Sequence, residues 1–414
     1  MLAIDRGVFT RHLQTVLLDA LADTPAVMIV GARQTGKTTL AKGLAEGPWR
    51  ASYVTFDDPT SLEAALGDPV GFVAALVQPV VIDEIQKAPS LLPAIKSTID
   101  AHRKPGRFLL TGSANVLALP TVSESLAGRM EVSTLWPLSQ GELQDRPERF
   151  IDRVFASEQF PTGQGTDDVV ARIVRGGYPE AVTRTRRGRR RAFFDAYVDT
   201  ILAREVEDIA AIEHLGTLRR LLRLAAVRGA SLVNHSEWAR AIAVPVSTLR
   251  RYWALLQTLY LVHELPAWAS NRGKRLVRSP KFYVFDTGLC AALSGLDELA
   301  LRRDTALLGP LLETFVAAEL KKQIGWSRVR PTLYHFRTHG GDEVDLVLED
   351  ARGRIVGIEV KASHTVTASD LRGLGALASV AGKSWVQGLV LHLGTSAVPF
   401  GAGLGAYPIE ALWG

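Results

Sequence analysis

The sequence predicts an α/β protein built from a doubly wound parallel sheet, a helical middle region and a second α/β part near the C-terminal end. Three patterns lead to this prediction. Residues 26–30 are apolar throughout, as expected for a parallel strand buried on both faces. Residues 193–210 carry apolar side chains at helical spacing. Residues 343–349 and 354–361 alternate between apolar and polar side chains, which is typical of strands with one covered face.

The length of the chain predicts several domains. A chain of 414 residues is too long for one hydrophobic core. The polar, glycine-containing stretch 160–165 is suited to a linker. We expect four parts, at residues 1–145, 146–230, 231–298 and 299–414.

A glycine-rich loop, a P-loop in its residue pattern, follows the first strand and precedes a helical pattern. Its glycines let backbone N–H groups surround a phosphate, and the helix N-terminus adds partial positive charge. Lys37 is expected to reach the β- and γ-phosphates, and the Thr38 hydroxyl to bind Mg²⁺. Arg33 either touches phosphate or faces water. The sequence therefore predicts ATP and Mg²⁺ as cofactors. The expected cofactor-binding residues are Gly31, Ala32, Arg33, Gln34, Thr35, Gly36, Lys37, Thr38 and Thr39.

Two carboxylates end the next apolar strand, at residues 78–84. Ligands of a doubly wound sheet collect at the carboxyl ends of its strands, so both acids are expected beside the phosphates. Asp83 would hold the Mg²⁺ shell, and Glu84 would position the attacking water as general base. These roles predict ATP hydrolysis rather than binding alone.

A further strand, at residues 107–113, ends in small polar side chains. Ser113 is expected to sense the γ-phosphate or orient the water, although Thr111 is an alternative for that role. Arg129 follows in the segment 125–129. It is either an arginine finger, for its own or a neighbouring site, or an ordinary surface arginine.

Composition narrows the class of protein. The chain is 47 % hydrophobic, with no apolar run of membrane-spanning length and no signal-peptide pattern at its start. Its one cysteine, Cys290, excludes an internal disulfide and a cysteine-based zinc site. A net charge of +5, a pI near 9.3 and clustered arginines make an anionic polymer a reasonable partner. We expect a cytoplasmic protein without a membrane partner.

The middle region is basic and resembles a winged helix. Six arginines fall within residues 184–191, where they either contact phosphate or form a solvated surface. Asn234 is expected to cap a short helix, and Ser247 a longer one through Leu259. Residues 261–265 and 282–285 are expected to pair as strands with a basic tip between them.

In a helix-turn-helix the second helix enters the major groove, so this region predicts DNA as a partner. The alternative is a rigid packing element between domains. The candidate base and groove contacts are Thr248, Arg250 and Arg251. The candidate phosphate contacts at the tip are Arg272, Lys274 and Arg275.

A second set of charged residues lies in the last hundred residues. If residues 351–353 form a three-residue hairpin loop with Gly353 at positive φ, Asp345 falls opposite Glu359. Lys361 then shares their face, and Glu313, on an otherwise apolar helix at 307–323, approaches from the side. The three carboxylates predict a Mg²⁺ site, with the lysine orienting or deprotonating a hydrolytic water.

This set resembles the PD-(D/E)XK nuclease-like fold, which implies metal-dependent cleavage of DNA or, in many such domains, binding without cleavage. Seven segments together resemble a prokaryotic family of AAA-type ATPases fused to a C-terminal domain with a nuclease-like core. These segments are residues 31–38, 81–84, 110–113, 125–129, 176–180, 281–289 and, counted together, 341–345 with 358–361.

The resemblance implies an ATP-hydrolysing protein that acts on DNA, with a Mg²⁺-dependent nuclease-like C-terminal domain. The alternative is a regulatory ATPase switch whose C-terminal domain binds a partner or nucleic acid without cutting it. A homo-oligomer is possible in either case.

Overall fold

The computed structural model describes residues 9–113, 128–158, 160, 168–209, 215–338, 340–401 and 403–414. The chain divides into two compact units. The first is the described part of Arg6–Leu138 together with Thr258–Tyr260; the second contains the described parts of Ser139–Gln257 and Leu261–Gly414. The first unit has a five-stranded sheet, and the second has a six-stranded and a three-stranded sheet.

The first unit is built on five strands that all run parallel. They are β1 (Ala26–Val30), β2 (Ser52–Thr55), β3 (Val80–Asp83), β4 (Phe108–Thr111) and β5 (Met130–Thr134). Their order across the sheet is β2-β3-β4-β1-β5, so β1 and β3 flank β4 and their carboxyl ends share one edge.

Helices cover both faces of this sheet. They are α1 (Leu13–Asp23), α2 (Lys37–Glu46), α3 (Pro59–Gly67), α4 (Pro69–Ala75) and α5 (Leu91–Ala101). Leu17 of α1 and Leu44 of α2 pack on one face, whereas Val73 of α4 and Ile95 of α5 pack on the other. Because both faces are covered, β1 is buried at every residue. The predicted doubly wound parallel sheet is confirmed.

The second unit begins with helices. They are α6 (Gln140–Gln144), α7 (Phe150–Ala156), α8 (Val169–Arg175), α9 (Pro179–Thr183), α10 (Arg187–Ile209) and α11 (Leu215–Val227). The helical periodicity predicted for residues 193–210 agrees with α10. Of the predicted linker, residues 161–165 lie outside the described residues.

A three-stranded sheet follows, in the order β6-β8-β7, with two helices after its first strand. The elements are β6 (Ser231–Leu232), α12 (His235–Ala241), α13 (Val246–Thr258), β7 (Val262–Leu265), α14 (Arg272–Val277) and β8 (Lys281–Val284). Trp238 and Trp253 each pack edge to face against Phe282 and are tilted against each other, which joins both helices to β8. Asn234 caps α12 as predicted, its side chain accepting a hydrogen bond from the Glu237 N–H at 3.1 Å.

Two details of this region differ from the predictions. α13 begins at Val246, so Ser247 lies inside its first turn instead of capping it. The expected basic tip between β7 and β8 is the helix α14, in which Leu276 and Val277 are exposed.

Asp286 joins two segments that the sequence presents 109 residues apart. Its buried carboxylate caps α15 (Thr287–Ser294) through the Leu289 N–H at 2.9 Å and accepts the Gly177 N–H at 2.7 Å. A Cβ on Gly176 would lie 2.4 Å from the same carboxylate, and Gly176 has φ 69°, so only glycine fits there. Segments 176–180 and 281–289 are therefore held together by the Asp286 carboxylate. Buried Cys290 has no disulfide partner.

The last hundred residues form a mixed sheet packed with helices. Its strands are β9 (Thr332–Arg337), β10 (Glu343–Glu349), β11 (Ile355–Lys361), β12 (Trp385–His392), β13 (Val398–Pro399) and β14 (Leu404–Pro408), in the order β13-β14-β12-β11-β10-β9. The helices are α16 (Glu298–Arg303), α17 (Thr305–Ile324) and α18 (Arg372–Ala381). β9, β10 and β11 are antiparallel, whereas β11, β12 and β14 are parallel.

No helix among the described residues has the length and apolar character needed to cross a membrane.

Candidate functional site

Two glycines shape the loop between β1 and α2. Gly31 has φ 146°, and a Cβ there would lie 2.3 Å from the Leu135 carbonyl oxygen. Gly36, with φ 96°, precedes the first residue of α2. The close contact at Gly31 excludes a side chain there, and the positive φ of Gly36 favours glycine. The loop leads directly into the N-terminus of α2. Such a loop can hold a phosphate.

The remaining loop residues divide into buried and accessible ones. The Lys37 ammonium donates to the carbonyls of Gly31 and Ala32, both at 2.9 Å. Thr35 is buried, and its carbonyl accepts the Arg11 guanidinium at 2.7 Å. Gln34 and Thr39 are exposed, and Arg33 is half-buried. Sequence reasoning missed Arg11, whose sequence neighbours carry no motif.

The Asp83 carboxylate, at the end of β3, accepts hydrogen bonds from three hydroxyl groups. Thr38 lies 3.1 Å from each carboxylate oxygen, and the Tyr53 hydroxyl donates at 2.7 Å. The Thr111 hydroxyl also donates to it. Burial, together with the bond to Asp83, raises the pKa of Tyr53, which therefore remains a donor. The neighbouring Thr38 and Asp83 oxygens are hard ligands of the kind Mg²⁺ prefers, so these residues fit that ion.

Glu84 follows directly, in a left-handed backbone conformation with φ 62° and ψ 42°. Its N–H donates to the Thr111 hydroxyl at 3.1 Å, and its carboxylate accepts the Gln86 amide. The other end of the Gln86 amide accepts the Ser113 N–H at 3.2 Å. Thr111 is thus bound to Asp83, which leaves Ser113 as the candidate at the end of β4. Gln86 was not predicted.

Arg129 lies at the opposite edge of the sheet. It immediately precedes β5, whose five residues place it about 16 Å from the carboxyl end of that strand. Its guanidinium binds both carboxylate oxygens of Asp100, at 2.6 and 3.0 Å. Arg129 is therefore too far from the glycine-rich loop's edge of the sheet to act as an arginine finger on its own site. Ser125, Leu126 and Ala127 lie outside the described residues.

The candidate DNA contacts have different surroundings. Arg250 and Arg251 are exposed on α13, and Thr248 is half-buried there. Arg275 is instead held inside the unit, because its guanidinium pairs with Glu349 and lies 5.4 Å from the Trp268 ring. This position does not suit the predicted phosphate contact. Arg272 and Lys274 lie in α14, and their side chains are outside the described part of the structure.

The β10–β11 hairpin has the predicted register. Leu346 pairs with Ile358, and the same register carried one step further sets Asp345 against Glu359. The loop closes through the Gly353 N–H and the Asp350 carbonyl at 2.9 Å, with Gly353 at φ 78°. Each carboxylate accepts a backbone N–H of the opposite strand, Asp345 from Val360 at 3.0 Å and Glu359 from Asp345 at 3.4 Å.

Lys361 and Glu313 also reach this group, which we call the carboxylate cluster: Glu313, Glu343, Asp345 and Glu359. The Lys361 ammonium lies 2.9 Å from Glu359. Glu313, on α17, accepts the Tyr283 hydroxyl at 2.9 Å. Burial and then the nearby Asp345 raise the pKa of Glu313 to about 8 and that of Glu359 to about 7. The structure thus brings together the side chains that the sequence predicts.

The unpredicted member is Lys281, the first residue of β8. Its ammonium lies 2.9 Å from Glu313, 2.6 Å from Glu343 and 3.3 Å from Asp345. Its side chain is only 4 % exposed. Burial by itself would lower the pKa of Lys281, but the three carboxylates raise it, so the lysine stays charged. In the sequence, Lys281 is a single lysine before an apolar run, and nothing in that pattern indicates that it lies among carboxylates.

Lys281 places an ammonium against Glu313 and Asp345, two of the three predicted Mg²⁺ ligands. Among the described residues, no group of three or more His, Cys, Asp or Glu side chains is arranged to hold a metal. As arranged, the carboxylate cluster therefore does not fit the predicted Mg²⁺.

Three family models match consecutive parts of the chain. An AAA domain matches residues 23–144, a domain of unknown function (DUF8612) matches 166–300, and a second one (DUF4143) matches 308–412. The AAA match covers the glycine-rich loop, Asp83 and Glu84.

Two curated relatives span most of the chain. They are uncharacterized proteins of Mycobacterium bovis and Mycobacterium tuberculosis, each 34% identical over 352 residues, which is 84% of this chain and 73% of theirs. Among solved structures, a RuvB variant of Thermotoga maritima has a TM-score of 0.30 at 19% identity, covering 61% of this chain and 89% of its own. A DNA polymerase III gamma subunit-related protein of the same organism has a TM-score of 0.23 at 11% identity, covering 60% and 97%. These two structural likenesses are too weak to carry an argument.

Replacing Lys281 with methionine should destabilise the second unit by about 3–5 kcal/mol, because it leaves the carboxylate cluster without its buried cation. Urea unfolding followed by circular dichroism would measure this. Lys361→Met is the matched control, and the loss of its half-exposed pair with Glu359 should cost about 1 kcal/mol or less. Adding Glu313→Gln to Lys281→Met should restore part of the loss. Equal effects of the two lysine variants would contradict this assignment.

Proposed function

We propose that this chain, which carries an AAA domain and belongs to the same family as these two mycobacterial relatives, hydrolyses ATP and uses the turnover to act on DNA. The observation that carries the first part is the contact between Thr38, after the glycine-rich loop, and Asp83, at the end of β3. This contact joins the phosphate-binding loop to the pair of carboxylates that hydrolysis requires.

In this proposal each residue of the site has a distinct role. Lys37 gives up its hydrogen bonds to the loop carbonyls and binds the β- and γ-phosphate oxygens instead. The loop N–H groups hold the β-phosphate. Thr38 and Asp83 would hold Mg²⁺, which supplies positive charge to the phosphates when bound. Glu84 orients and deprotonates the attacking water, and Ser113 senses the γ-phosphate.

Two substitutions test these roles. Lys37→Ala should abolish tight ATP binding, because the loop loses the ammonium that neutralises the phosphates. Glu84→Gln should bind ATP normally but hydrolyse it about 100-fold more slowly or worse, because the general base is lost. Binding would be measured by titration with a fluorescent ATP analogue and hydrolysis by phosphate release. Normal turnover of Glu84→Gln would show that the base is another group.

The DNA part of the proposal is supported by α13. Its exposed Arg250 and Arg251 follow a short helix and turn in the arrangement of a helix-turn-helix, and the chain as a whole is basic. The buried pairing of Arg275 leaves α13 as the better candidate surface. In the alternative, the helices only pack, and ATP turnover switches a partner.

Reversing both arginines, as Arg250→Glu with Arg251→Glu, should weaken duplex binding and flatten its dependence on salt. Each lost phosphate contact should reduce the slope of log K against log salt by about 0.9. Fluorescence anisotropy at several salt concentrations measures both. Arg103→Glu with Lys104→Glu, in the exposed turn before β4, changes the net charge equally and is the control. An equal loss of affinity in both double variants would show that the overall charge, and not a contact made by α13, is responsible.

For the C-terminal domain, the geometry favours binding without cleavage. The convergence of Asp345, Glu359 and Lys361 supports the nuclease-like interpretation of the fold. Lys281 argues against a metal there, because an ion would have to displace a buried ammonium from three carboxylates. We therefore favour a binding module, and a Mg²⁺-dependent deoxyribonuclease is the second candidate.

A cleavage assay separates the two candidates. Plasmid, single-stranded and branched DNA would be incubated with the protein in Mg²⁺ or Mn²⁺, beside Glu359→Gln. We expect no nicking by either protein, because Lys281 neutralises the cluster. Nicking by the original protein that Glu359→Gln lacks would establish the nuclease instead.

We propose the four parts 1–145, 146–230, 231–298 and 299–414. The end of the AAA match at 144 supports the first boundary and the end of the DUF8612 match at 300 the third, whereas the DUF8612 match continues across the second. An arginine-finger role for Arg129 would require a homo-oligomer, in which it serves a neighbouring site. We place this activity in the cytoplasm.

A further inference from the structure

Gln86 forms a bridge between the candidate base and the end of β4. Its side-chain N–H donates to the Glu84 carboxylate, and its side-chain oxygen accepts the Ser113 N–H at 3.2 Å. A side-chain amide has separate donor and acceptor atoms, so it can donate to a carboxylate and accept from a backbone N–H at the same time.

The backbone around Gln86 fixes this bridge in place. Gln86 lies in a single 3₁₀ turn, Ile85–Lys87, closed by the Lys87 N–H and the Glu84 carbonyl at 3.0 Å. Ile85 is fully buried and anchors the turn to the core. Glu84 itself has φ 62°, a conformation that non-glycine residues adopt only when their surroundings impose it.

We propose that Gln86 is a positioning residue, which orients the Glu84 carboxylate and connects it to the main chain at Ser113. A displacement of Ser113 by a γ-phosphate is then transmitted through one amide to the group that handles the attacking water. The proposal rests on the proposed role of Glu84 as base.

Gln86→Met tests it, because methionine has nearly the same length but cannot form either hydrogen bond. Single-turnover hydrolysis should slow by about 10- to 100-fold, the cost of a misplaced catalytic group, while the Kd for ATP stays within about twofold. Gln86→Glu has the same shape, but it places a second carboxylate beside Glu84 and cannot donate to it. It should be slow as well, which covers the case in which the methionine variant fails to fold.

Two further variants separate the role of the Gln86 bridge from a general disturbance of the turn. Lys87→Met alters the same turn, removing the exposed pair with Asp57 but not the Gln86 bridge, and should keep the original rate. In the double variant Glu84→Gln with Gln86→Met, the second change should add no further loss, because Gln86 acts through Glu84.

The outcomes separate this inference from the proposed function. An original rate in Gln86→Met, or losses that multiply fully in the double variant, would overturn the role of Gln86. A normal rate in Glu84→Gln alone would instead overturn the base on which the inference rests.

Discussion

The Asp83 carboxylate is the contact on which the phosphate-binding half of the molecule depends. It is 1 % exposed at the end of a strand that is buried throughout, where an unsatisfied charge would be costly. Three hydroxyls satisfy it, and each comes from a different element: Thr38 from α2, Tyr53 from β2 and Thr111 from β4. One charged group thereby sets the first turn of α2 against three neighbouring strands. Because Thr111 also accepts the Glu84 N–H, the same contact reaches the candidate base.

The second unit also contains buried carboxylates, and there a buried lysine balances them. Asp345 and Glu359 crowd one sheet face, and Glu313 adds a third carboxyl group from α17, whose pKa is raised by burial and by Asp345. Lys281 brings a cation from β8, so the three-stranded sheet, the long helix and the six-stranded sheet meet at one ion-pair network. Breaking a network of this kind is costly, because the remaining partners stay buried.

The features that the sequence could predict are those set by short stretches of chain. The glycine-rich loop needs only its neighbouring strand and helix. The Asp345–Glu359 pairing needs only strand alternation and a three-residue loop. Lys281 and Arg275 could not be predicted in this way, because their partners are supplied by tertiary structure. The Gln86 bridge could not be predicted because its second partner, Ser113, lies 27 residues away. Lys281 meets carboxylates 32 and 64 residues away, and Arg275 meets one 74 residues away.

The short turn between β10 and β11 is unusual among surface connections, because its length matters more than its composition. Surface turns generally accept insertions, since added residues loop out into solvent. Here an added residue that moved the pairing by one position would send every side chain of β11 to the opposite face of the sheet. Glu359 would exchange places with an apolar neighbour, and a charge would enter the packed side of the domain. For chain engineering, this makes the turn a poor place for a tag, a linker or a split point, even though Ala351 and Arg352 are exposed.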